Sequence, residues 1–136
     1  MHLDPMDQDH IDQDAVARYL TEMKEAVAGG RYRIARNANR ADNLRLFHRY
    51  IIDEARAKQI LLELDVLDFS EVRQNNHAGF EEEQLYIFGK DVNLLERYGE
   101  EERSVSLYIK INKLESCFVI VVSFHEQRYP LTYLFR

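Results

Sequence analysis

Cysteine is almost absent from this 136-residue chain: Cys117 stands alone, so neither a disulfide framework nor a paired-cysteine metal site can be built from it. It opens the run Cys117 to Val122 and reads there as a small buried hydrophobe. That run is the longest apolar stretch and falls far short of the roughly 20 residues a spanning helix needs. The N-terminus is acidic where a secretory leader is basic, so the expectation is a cytoplasmic protein with no membrane partner. Five glycines and two prolines are too few for a collagen-like or low-complexity chain. Also missing are a glycine-rich phosphate loop, a His-Glu-x-x-His pair and a Gly-x-Ser-x-Gly elbow, which removes the commonest nucleotide, zinc-protease and serine-hydrolase readings.

What is present describes a globular chain. Hydrophobic residues make up 46% and charged residues 31%, and the length suits one core. Residues 1–13, rich in Asp, Gln and His around Pro5, lack any apolar period and are expected to be a flexible acidic lead-in; 14–136 are expected to form a single α+β domain. The formal charge is −6, but it is segregated: residues 31–58 carry +5, residues 59–102 carry −9 and residues 103–136 carry +3. A chain charged this way can steer a polyanion to one face while the rest repels it, although both basic segments would also serve as ordinary solvated faces.

The first half reads as helices. Val16, Leu20, Met23 and Val27 recur at helical spacing behind Asp14 as N-cap, and Gly29-Gly30 supplies a stop. Arg31 to Ala35 alternates as a short strand would, and Asn37-Ala38-Asn39 looks like a turn. Asp42 is expected to cap a short helix through about Tyr50, and Asp53 a second one with Ala57, Ile60, Leu61 and Leu64 on one face. Glu71 to Glu83 loses periodicity and reads as a loop, its Glu81-Glu82-Glu83 as a solvated run.

Strands dominate the second half. Leu85 to Lys90 is aromatic and β-branched, and Ser104 to Lys113 alternates, Val105, Leu107, Ile109 and Ile111 against Ser106, Tyr108, Lys110 and Asn112. After a short connection at Leu114-Glu115-Ser116, Cys117 to His125 reads as a central strand, with Phe118, Ile120, Val122 and Phe124 on one side and Val119, Val121, Ser123 and His125 on the other. Helices followed by strands, without βαβ alternation, predict N-terminal helices packed on one face of a small antiparallel sheet.

If the core lies on the Leu107/Ile109 side, Tyr108 and Lys110 share the opposite side with Ser123 and His125 of the neighbouring strand, within about 5 to 8 Å. Arg128 and Tyr129 lie just beyond, fixed by Pro130. This inventory suits RNA cleavage by its own 2′-hydroxyl, which needs a base, an acid and a cation but no metal or cofactor. His125 supplies an imidazole, the side chain that can serve as acid or base at neutral pH. Lys110 and Arg128 can clamp phosphate, and Tyr108 or Tyr129 can donate a hydrogen bond or stack on a base. On spacing alone, the same pattern also fits an ordinary solvated strand face.

The strings Ile60-Leu61-Leu62-Glu63-Leu64, Asp68-Phe69, Leu85-Tyr86-Ile87-Phe88-Gly89-Lys90, Leu107-Tyr108-Ile109-Lys110-Ile111 and Val121-Val122-Ser123-Phe124-His125, with Tyr129-Pro130, follow one another in an order that resembles the MqsR-like toxins. The resemblance spans roughly residues 16 to 136. It implies a RelE-like fold and an mRNA interferase of a toxin–antitoxin pair, cutting messenger RNA without a metal and neutralised by a cognate antitoxin. The family's strand tyrosine falls on Tyr108, with Lys110 two residues on, and its last-strand basic residue falls on His125. Where the family has a lysine just after Asp-Phe, this chain has Ser70-Glu71, with Arg73 slightly later; a family glutamine has no clear counterpart, and Lys90 is the neighbouring candidate. Residues 92 to 103 form a longer acidic connection than the family pattern. The expected catalytic set is therefore Tyr108, Lys110 and His125, and the expected RNA contacts are Lys90, Arg73, Arg128 and Tyr129. The alternative is a catalytically inactive protein-binding module on the same fold, acting through Glu81 to Glu83 and Glu100 to Glu102.

Overall fold

A computed structural model describes residues 11–37 and 40–136. Of the expected flexible lead-in, residues 1–10 lie outside the described residues, as do Ala38 and Asn39 of the expected turn. The first helix, α1 (Gln13–Ala28), starts earlier than its apolar period suggests: the N-cap is Asp12, whose carboxylate accepts from the Ala15 amide at 2.7 Å, not Asp14. It stops at the two glycines, where Gly30 takes a left-handed φ of 78° that a side chain would resist. Strand β1 (Tyr32–Ile34) is followed by α2 (Ala41–Arg49) and α3 (Glu54–Leu62). Asp53 caps α3 through the Arg56 amide at 2.8 Å, as anticipated. Asp42 does not cap α2: Arg40 holds the N-cap position, and the Asp42 carboxylate is engaged by Arg45 and Arg128 instead.

A 3-10 turn (Val66–Asp68) leads into β2 (Phe69–Gln74), then β3 (Gln84–Leu95), β4 (Glu102–Lys113) and β5 (Val119–Glu126). Two expectations fail here. Residues Glu71 to Gln74 are strand, not loop, because an edge strand needs a partner on one side only and tolerates polar residues. The supposed long connection at 92–103 is largely the paired ends of the β3–β4 hairpin, in register from Leu85↔Asn112 to Leu95↔Glu102.

The five strands lie in the order β1-β5-β4-β3-β2, antiparallel except for β1, which runs parallel to β5. The three helices cover one face, giving the expected α+β layering. Tyr19 of α1 stacks on Tyr86 with centroids 3.7 Å apart, and Phe47 of α2 packs against Phe124 at 5.8 Å. Among the described residues no helix is long and apolar enough to cross a membrane.

The β4–β5 register slips by one residue between Lys110 and Ile111, so that Ile111 faces Val121 and Lys110 faces Ser123, leaving Val122 as a bulge. The bulge reverses the expected alternation for Val119 to Val121 and restores it from Ser123 onward. Val119 and Val121 join Phe124 in the core, while Ile120 lies on the other side with Ser123 and His125. Cys117 is not in the strand: it is exposed in the preceding turn, at a φ of 65°.

Asn43 stabilises the bulge. Past Ile34 strand β1 has ended, and the free edge of β5 is met by the buried carboxamide of Asn43, which donates to Val122 O at 3.1 Å and to Ala35 O at 2.8 Å and accepts from the Phe124 amide at 2.8 Å. One side chain thus continues the ladder where the strand stops.

Candidate functional site

The face away from the helices is only partly polar, because Leu85 and Ile87 are buried there. Residues 127–136 turn back across the sheet. Gln127 hydrogen-bonds to Ser106 O and Leu107 O, Ser70 Oγ donates to Thr132 O at 2.7 Å, and Leu134 N donates to Phe69 O at 3.1 Å. Gly89 makes the crossing possible: a Cβ there would lie 2.2 Å from Tyr133 Oη and 2.8 Å from Leu131 Cδ1. The tail forms one wall of a cleft of about 470 Å³ whose floor is β4 and β5.

Cross-strand pairing places Tyr108 directly opposite His125, with the rings stacked at 5.1 Å between centroids and 10° between planes. Lys110 lies opposite the buried Ser123. Arg73, from β2, and Arg128 and Tyr129, from the tail, complete the set of sequence candidates that line this cleft. Lys90 does not reach it. In register with Leu107, it points to the helix side, where its ammonium meets the buried Asp68 carboxylate at 3.3 Å. A residue next to Gly89 faces the opposite way because strand side chains alternate.

Arg40, Asp42 and Glu71 also line the cleft, where the sequence offers Asp42 only as a helix cap and Glu71 only as the occupant of an expected lysine position. For Arg40 the only hint was the basic bias of residues 31–58; Glu71 was hidden by the loop expected there. The cleft thus holds four Lys or Arg side chains against two carboxylates. The carboxylates tie up two of the arginines: Glu71 holds Arg73 at 3.2 and 3.3 Å, and Asp42 holds Arg128. Among the described residues, no carboxylate pairs with Lys110.

Electrostatics follows from this placement. Burial, then the charges of Arg40 and Arg73, push the Lys110 ammonium below its ordinary pKa, so its charge lacks compensation until an anion arrives. Burial pushes the Tyr108 phenol up, against the pull of Arg73 and with help from Glu71, which keeps it a neutral hydrogen-bond donor. Hydrogen bonding from Arg45, and then from Arg128, holds the Asp42 carboxyl below its usual range. His125 Nδ1 lies 2.8 Å from Glu126 O. A carbonyl can only accept, so Nδ1 carries the proton and Nε2 of the neutral ring presents a lone pair.

A base nitrogen, a phenol and an uncompensated ammonium therefore converge in one cationic hollow, an arrangement suited to holding a phosphodiester and moving a proton beside it. Among the described residues, no three of His, Cys, Asp and Glu are grouped as metal ligands. No protein-family model, curated protein or solved structure matches the chain. The likeness to the MqsR-like toxins thus rests on the ordered strings alone.

Proposed function

We propose that this chain is a metal-independent endoribonuclease that cuts messenger RNA by 2′-hydroxyl attack. The observation that carries this reading is the stacked Tyr108–His125 pair beside Lys110, an ammonium with no carboxylate partner among the described residues, in a cleft that also holds Arg40, Arg73 and Arg128. His125 Nε2 takes the 2′ proton; the 2′ oxygen bonds to phosphorus as the bond to O5′ breaks. Lys110, made more acidic by burial beside Arg40 and Arg73, supplies the proton to O5′. Tyr108 donates a hydrogen bond to a non-bridging oxygen, whose growing charge Arg73 and Arg128 offset. The products are a 2′,3′-cyclic phosphate and a 5′-hydroxyl. The order of strings shared with the MqsR-like toxins supports a cytoplasmic toxin held in check by a cognate antitoxin protein.

The test is incubation of the purified chain with labelled RNA in EDTA. Cleavage leaving cyclic phosphate ends is expected, with kcat reduced by about 100- to 10,000-fold in His125→Ala. Full activity in a His125→Ala, Tyr108→Phe double variant would refute the assignment. A second reading, an inactive protein-binding module, draws on another hollow, of about 830 Å³, lined by Glu81, Glu82 and Glu115 together with exposed Phe80. Absence of RNA cleavage together with capture of a basic protein partner would favour it.

A further inference from the structure

Beyond the catalytic cleft the surface does not close. A hollow of about 340 Å³ adjoins it at Asp42, Ser123, His125 and Arg128 and extends to Arg45. A third, of about 210 Å³, shares Asp42, Arg45, His125 and Arg128 with the second and extends to Arg49 and Glu126. The three form one trough between α2 and the end of β5. Arg45 and Arg49 stand about one turn apart on α2, about 6 Å along the axis, a separation of the same order as successive phosphates of an extended strand. Both guanidiniums are more than half exposed.

Exposed ion pairs such as Arg45–Asp42 and Arg49–Glu126 add little to stability, so they do not account for the placement. What they do is occupy two guanidiniums until a stronger anion arrives, so a phosphate that binds here displaces a carboxylate. Arg40, Arg45, Arg49 and Arg128 outnumber Asp42 and Glu126, leaving the trough positive on a chain whose net charge is −6. Such a stripe concentrates a polyanion that the rest of the surface repels.

We infer that this trough is a phosphate track that grips the single-stranded RNA flanking the scissile bond, with Arg45 and Arg49 holding successive backbone phosphates. The identity of the polyanion rests on the nuclease reading; its binding can be measured without cleavage. The probe is a fluorescent 2′-O-methyl RNA 12-mer, whose blocked hydroxyls cannot attack, titrated with the full chain by anisotropy across a salt series. Arg45→Ala/Arg49→Ala is expected to weaken binding roughly tenfold and flatten the log–log salt slope by about 1.4, the effect of two lost single-strand phosphate contacts. An Arg18→Ala/Lys24→Ala pair on α1, with the same change of charge, should stay within about twofold of wild type. Asp42→Asn should bind more tightly, because it removes the carboxylate that competes for Arg45 and Arg128, and misfolding cannot imitate a gain.

Failure of wild type to bind the 12-mer, equal losses in both double variants, an unchanged groove variant or weaker binding by Asp42→Asn would each overturn the track. Binding that behaves as expected while unmodified RNA stays intact would sink the nuclease reading and leave the track standing.

Discussion

Truncating Asn43 removes one carboxamide that serves three backbone groups at once: Val122 O, Ala35 O and the Phe124 amide. Each hydrogen bond contributes about 1 kcal/mol net, and the Phe124 N–H, left unsatisfied in a buried strand, adds a desolvation penalty of about 1 kcal/mol or more. Asn43→Ala should therefore cost about 3 to 4 kcal/mol, a large part of the roughly 5 to 15 kcal/mol a domain possesses. For a chain of this length that is a fall in Tm on the order of 10 to 15 °C. Urea unfolding followed by circular dichroism measures it directly, at a pH near neutrality. Asn43→Asp is the informative companion: it keeps an acceptor for the Phe124 amide but turns a carboxylate oxygen toward two carbonyls, so it should be no more stable than the alanine variant. Loss of less than about 1 kcal/mol in Asn43→Ala would show that the bulge holds itself and that the side chain is incidental.

Two further substitutions probe the cleft from other directions. Gly89→Ala places a methyl against Tyr133 Oη, Gln127 Nε2 and Leu131 Cδ1, so all three side chains must shift; a destabilisation of about 1 to 3 kcal/mol in urea is expected, with weaker RNA binding as Arg128 and Tyr129 move, and wild-type values for both would refute the strap. The folded-state pKa of Lys110 lies below its ordinary 10.5, so between that lowered value and 10.5 the unfolded chain binds more protons and stability should rise with pH. Lys110→Met removes this penalty: its urea midpoint at pH 7 should exceed that of wild type while cleavage is lost, and a lower midpoint would contradict the buried charge. Lys110→Arg keeps the positive charge but offers a guanidinium too weakly acidic to protonate O5′, so RNA binding should persist while kcat falls toward that of Lys110→Met.

Much of the site could be read from the order of residues. The alternation of Val105, Leu107, Ile109 and Ile111 assigns Tyr108 and Lys110 to the non-helical face by local geometry alone, since a strand side chain and its neighbour must point to opposite sides. The apolar period of α1 and the Asp53 cap of α3 are local in the same sense. His125 reached the expected face by a different route from the one its strand suggests. A run of β-branched residues from Val119 to Val122 offers two equally apolar sides, so pattern cannot choose between them. The choice is made by the bulge, which depends on Asn43, a residue some 80 positions away in the chain.

The same division explains the errors. Only the family likeness points to Lys90, and one step of alternation sends it to Asp68 on the helix side. Strand β2 reads as loop because Glu71, Arg73 and Gln74 are polar and break the apolar pattern, although Glu71 and Arg73 line the cleft. Sequence by itself determined what short-range periodicity determines: the helices, the β4 faces and the supply of a histidine, a tyrosine and a lysine near the chain's end. Only tertiary structure decided which of them meet, because the register slip, the side-chain amide that seats it and the tail lying over Gly89 are contacts between distant residues whose energies no local window contains.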